Sequence, residues 1–168
     1  MKGVSIKNLT RRKSVPRFAY RAIAQSTLPG WDISLVFVGP TRARTLNERM
    51  RGKTYVPNVL SYALDDQSGE IIICLREAEK QASSYGMDER AFVLYLFIHG
   101  VLHIKGWAHG VRMEECERNL LAQFSPRTWT LSKVPGDVRL HLNETTHSHR
   151  HRHRHVPSKD GRDRGTNR

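Results

Sequence analysis

Three histidines, His99, His103 and His109, stand at a spacing that suits a single metal ion. His99 and His103 are four residues apart, and side chains four apart on a helix project from one face, one turn above the other. Gly106 follows, a residue free to take the left-handed conformation in which helices commonly end. The chain can turn there and bring His109 to the same point. Three neutral imidazoles leave one position open on a tetrahedral ion, the arrangement of catalytic rather than structural zinc sites. Imidazole is a poor ligand for magnesium or calcium, so zinc is the expected metal. One histidine on an apolar helix is ordinarily a hydrogen-bonded core residue. Three unrelated ones would each pay for desolvation with no shared compensation.

The same spacing occurs in the metzincin peptidases, where a glutamate after the first histidine is the general base. Gly100 occupies that place here. A glycine cannot move a proton, so peptidase chemistry of that kind lacks its base.

These residues need a scaffold, and hydropathy patterning supplies one. Val4 to Leu9 alternates weakly, as a first strand. Ser14-Val15-Pro16 reads as a helix start, with Ser14 as N-cap, and Pro29-Gly30 stops that helix after Leu28. Asp32 to Val38 is the clearest strand, because it alternates and is rich in β-branched residues. Gly39-Pro40-Thr41 opens a second helix that ends near Gly52. Asn58–Ala63 and Glu70–Cys74 read as two further strands joined by the turn-forming stretch 65–69. Leu75 to Tyr85 has helical composition and stops at Gly86. Asp88 can cap the next helix, apolar almost all round and running to about Lys105, as expected for a helix through the centre of a domain. Met113 to Phe124 is a last, amphipathic helix. The expected fold is α+β: one mixed four-stranded sheet packed by helices, with the His-bearing helix central.

Composition bounds the rest. The 168 residues fit one compact domain. Residues 1–134 are expected to form it. From Pro135 to Arg168 the apolar content collapses into a His/Arg-rich stretch that cannot bury enough surface to fold, so it reads as a disordered tail. Met1 to Arg12 contains no apolar segment of the kind that targets secretion. The longest apolar run, Ala91 to Ile104, is 14 residues, short of the roughly 20 that span a bilayer. These features imply a cytoplasmic protein without membrane contact. The two cysteines, Cys74 and Cys116, fall in different expected elements and read as small buried residues rather than a disulfide. Charge is uneven: residues 1–53 carry 12 Lys/Arg against 2 Asp/Glu. A basic face of that kind attracts polyanions, nucleic acid or ribosome among them.

The segment HGVLHIKGWAHG resembles the H-G-x-L-H-x-x-G-[YFW]-D-H signature of the YbeY family, bacterial endoribonucleases and rRNA maturation factors. Leu46-Asn47 before Arg51-Gly52-Lys53, then Asn58-Val59-Leu60-Ser61-Tyr62, then Gly69-Glu70-Ile71-Ile72-Ile73 match in the same order. The resemblance covers roughly Ile6 to Phe124. It implies that His99, His103 and His109 bind one zinc ion, and that Arg51 is the functional arginine. A guanidinium there would clamp phosphate oxygens and counter charge developing at phosphorus. Lys53, Asn58 and Ser61 are candidates for supporting roles. One position departs from the signature: Ala108 stands where the family has Asp. If that carboxylate orients a ligand, its loss would cost metal affinity by roughly 10–100-fold.

The implied function is zinc-dependent, single-strand-specific endoribonuclease activity in rRNA maturation, at the 3′ end of small-subunit rRNA, with contact to assembling ribosomes. Zinc would lower the pKa of a water toward about 7 or act as a Lewis acid on a phosphoryl oxygen. The basic first third would hold the RNA backbone largely without reading sequence. Nothing points to a small-molecule substrate. The competing readings are a non-catalytic, zinc-containing ribosome-assembly factor and, behind it, a metallopeptidase.

Overall fold

The computed structural model describes residues 3–125. Strand β2 (Asp32–Val38) is the axis of a four-stranded sheet, between β1 (Val4–Asn8) and β4 (Ser68–Cys74), with β3 (Val59–Ala63) outside β4. β1, β2 and β4 run parallel, and β3 pairs antiparallel with β4. Parallel neighbours need a long crossover, whereas antiparallel ones can be joined by a tight turn. Helix α1 (Tyr20–Thr27) links β1 to β2, while β3 and β4 are joined by a turn in which Asp65 accepts from the Gln67 amide and the Ser68 hydroxyl.

The sheet has two covered faces. Ile33, Leu35, Phe37, Ile71, Ile73 and Val59 join the main core with α1, α3 (Leu75–Ala82), α4 (Glu89–Ile104) and α5 (Val111–Phe124). Val36, Val38, Ile72, Cys74 and Leu60 form a smaller core with Ala43 of α2 (Pro40–Arg51) on the opposite face. Alternation sends odd and even residues to different sides, so the unbroken apolar run of β2 is what a strand buried on both sides requires.

The expected α+β architecture with a mixed four-stranded sheet is observed, and α4 is its central helix, buried on every side from Ala91 to Leu102. Asp88 caps it, accepting from the Ala91 amide at 2.8 Å. Two glycines let α4 lie close along β4. A Cβ on Gly100 would stand 3.1 Å from the Ile71 side chain, and one on Gly69 would stand 2.9 Å from Ile104.

Strand β4 starts at Ser68 and α5 at Val111, each two residues before the expected start, and two helices differ more. The first helix begins at Tyr20, not near Ser14. The preceding segment is irregular instead: Asn8 donates to the Arg12 carbonyl, the Tyr20 hydroxyl donates to the Pro16 carbonyl, and the Arg12 guanidinium reaches across to Glu79 and Glu89. Leu75–Tyr85 is α-helical only to Ala82. It tightens into a 3₁₀ turn, Ser83–Tyr85, ended by Gly86 at φ 65°. The domain boundary expected at residue 134 and the tail 135–168 lie outside the described residues.

Candidate metal centre

His99 and His103 are on the last turns of α4, and His109 sits in the link to α5. The Trp107 amide donates to the Leu102 carbonyl and Gly106 takes φ 88°, so the chain reverses within one turn of the helix end. That reversal brings one nitrogen of each of the three rings within 4.8 Å of the others. Ring centroids are 4.4 Å apart for His99–His103, 4.7 Å for His103–His109 and 5.2 Å for His99–His109. Burial is graded: His99 is buried, His103 intermediate and His109 exposed. A ligand held by all three rings is therefore reached from the His109 side.

The hydrogen-bond partners fix which nitrogens are available. His103 Nδ1 lies 3.0 Å from the Trp107 carbonyl oxygen, which only accepts, so Nδ1 carries the proton and Nε2 is bare in the neutral ring. His99 Nδ1 lies 2.7 Å from Glu117 Oε1. With Glu117 ionised, His99 Nδ1–H donates and its Nε2 is bare as well. These two Nε2 atoms are 2.9 Å apart. Two lone pairs facing each other at that distance repel, and a shared cation converts the repulsion into ligation. The donor set fits a metal ion that accepts imidazole nitrogen, zinc included.

Electrostatics agree with neutral ligands. Burial first, and the neighbouring His109 second, hold the pKa of His99 down to about 3. Burial pushes Glu117 up to about 7, against the opposing pull of the Tyr95 hydroxyl, His109 and Arg118. A positive ion beside the pair favours the carboxylate and so the tautomer that leaves His99 Nε2 free.

The other sequence candidates lie on α2, on β3 and in the link between them. Arg51 is the last residue of α2, half-buried, on the helix that covers the opposite face of the sheet from α4. Asn58 is buried and donates to Gln81 Oε1 at 2.9 Å. Ser61 is buried on β3 and pairs with Ile71, the residue packed on Gly100, so it lies beside the His-bearing segment. Lys53 is exposed in the link from α2 to β3. Gly100 bears on the peptidase reading a second time. Its Cα faces the Ile71 side chain of β4 closely enough that even a Cβ would press on it, so a general-base glutamate would have no room there.

Sequence reasoning missed Glu117. Its partner is 18 residues away, and it follows Glu114 and Glu115 in what reads as an acidic surface. The signal was helical spacing, since Glu117 falls between Met113 and Leu120–Leu121 on the buried side of α5. The two cysteines are free, as expected; Cys74 is buried as expected, whereas Cys116 is only partly buried.

Among the described residues no helix is long and apolar enough to cross a membrane. The fold is similar to that of a Thermotoga maritima protein solved in solution, with TM-score 0.54 and 20% identity over 71% of this chain and 87% of that one. The Endoribonuclease YbeY of Paraburkholderia phytofirmans is 32% identical over 121 residues, 61% of this chain and 79% of its own length. That of Geobacillus kaustophilus is 30% identical over 133 residues, 67% of this chain and 85% of its own length. The family model described as Endoribonuclease YbeY matches residues 5–125, which take in the sheet, its helices and the three histidines, and the chain belongs to that family.

Proposed function

We propose that this protein is a zinc-dependent, single-strand-specific endoribonuclease that matures the 3′ end of small-subunit rRNA in the cytoplasm, in contact with assembling ribosomes. The observation that carries this reading is the convergence of three imidazoles, two of them with Nδ1 already committed to an acceptor. His99, His103 and His109 would hold the zinc. When bound, zinc supplies Lewis acidity toward a phosphoryl oxygen or a water. Arg51 is assigned to bind phosphate oxygens through its planar fork and to counter charge at phosphorus. Asn58 and Ser61, both buried, are assigned supporting roles on and beside β3. The exposed arginines of α2, Arg42, Arg44 and Arg49, would hold the RNA backbone.

A second reading, a zinc-containing assembly factor without catalysis, draws on Ala108 and on His109. Among the described residues His109 is exposed and has no side-chain hydrogen bond to orient it.

Cleavage of a labelled single-stranded RNA by wild type, His103→Ala and Arg51→Ala, with metal content measured on each, tests the assignment. His103→Ala is expected to lose both metal and cleavage. Arg51→Ala is expected to keep its metal and lose roughly 10²–10³-fold in rate, the scale for removing a group that stabilises transition-state charge. Zinc-loaded wild type that cuts no RNA would sink the nuclease assignment and leave the assembly factor, and wild type that cuts no better than Arg51→Ala would remove Arg51 from the catalytic assignment.

A further inference from the structure

Helix α5 turns Met113, Leu120 and Leu121 toward the core, yet the residue among them is Glu117, only 5% exposed. A carboxylate in such surroundings is costly unless its oxygens are used. Two groups of α4 use them. His99 Nδ1 is 2.7 Å from Oε1, and the Tyr95 hydroxyl, one turn earlier on α4, hydrogen-bonds the same carboxylate. The Tyr95 and His99 rings are 5.9 Å apart. Tyr95 is itself buried at 6% exposure, so this chain of contacts is closed off from water.

We propose that Glu117 is the positioning residue of the metal centre: anchored by Tyr95, it holds the His99 ring so that Nε2 is the ligand atom. The inference rests on the reading of the three histidines as metal ligands. An imidazole offers two nitrogens, and the one that carries a proton cannot ligate. By accepting from Nδ1, Glu117 selects the tautomer and fixes the ring's rotation, and it raises the basicity of the nitrogen left free. His103 receives the same service from the Trp107 carbonyl, a backbone group that no substitution removes. Glu117 is thus the side chain through which this orienting effect can be altered. Residue 108 has no part in this: both helix histidines are oriented by other groups.

The test is zinc affinity, read by competition with a chromophoric chelator, for wild type, His103→Ala, Glu117→Leu, Glu117→Gln and Tyr95→Phe. Thermal melts of each metal-free protein establish that it folds. Glu117→Leu is expected to weaken zinc binding roughly 10–100-fold. Glu117→Gln, whose amide oxygen still accepts from Nδ1, should lose less, and Tyr95→Phe less again. A group that merely packs would behave otherwise: leucine fills the site, so folded Glu117→Leu with wild-type zinc affinity overturns the proposal. Nitrogen NMR of the zinc-loaded wild type decides the matter without any variant. His99 bound through Nε2 with a protonated Nδ1 supports it, and ligation through Nδ1 overturns it. If instead wild type binds no zinc, or His103→Ala binds it equally well, the metal reading itself is what fails.

Discussion

His99 and Glu117 sit where an isolated polar group would be costly, and each makes the other tolerable. The cysteines show the opposite case, polar atoms that need no partner. Burial pushes the Cys74 thiol above its usual range, and a weaker burial does the same for Cys116 on the half-exposed side of α5. The thiolate is the reactive form, so both should be sluggish. Titration of the native protein with a disulfide reagent at pH 8 should modify Cys116 slowly and Cys74 only after denaturant is added. Rapid reaction of both thiols in the folded protein would contradict their burial.

At the scale of elements, the packing of α4 on β4 decides which chemistries the helix can carry. Two effects compete at Gly100. Alanine gains about 1 kcal/mol in helix propensity, while its Cβ must displace Ile71 from a 3.1 Å approach. Overpacking of that size costs about 1–3 kcal/mol, so Gly100→Ala should be destabilised by no more than about 2 kcal/mol. Gly100→Glu adds a buried, unpaired charge and is expected to lose at least about 3 kcal/mol, with no peptidase activity gained. Denaturant midpoints of the two variants check this. A Gly100→Glu protein as stable as wild type would show that α4 does not press on the sheet.

For the whole molecule, the asymmetry of charge is the leading feature. The first 53 residues hold most of the net charge of +12, and Lys7, Arg11, Lys13, Arg17, Arg42, Arg44 and Arg49 are exposed. If this region holds an RNA backbone, affinity should fall steeply with salt, with a log–log slope near −0.7 for each phosphate engaged on a single strand. Arg42→Ala together with Arg49→Ala should then weaken binding across unrelated sequences and flatten the slope by roughly 0.7 for each phosphate no longer engaged. Filter binding over a range of salt concentrations measures both quantities. Affinity indifferent to salt would remove the basic face from RNA binding.

Local rules decided much of this protein. The histidine spacing and Gly106 belong to one helix and its terminus, where geometry follows from sequence separation. The Asp32–Val38 strand, the Asp88 cap and the stop at Gly86 rest on neighbouring residues too, and each is found where expected. What depended on distant parts of the chain was not legible. The helix expected from Ser14 yields to a guanidinium drawn to Glu79 and Glu89, and nothing near Arg12 announces those partners. The face of the sheet that α2 covers, and with it the surroundings of Arg51, follows from how the crossovers wrap. Glu117 is another such residue. Its helix could be read from periodicity, but only packing α5 against α4 turns an acid in a polar run into the partner of a histidine 18 residues earlier.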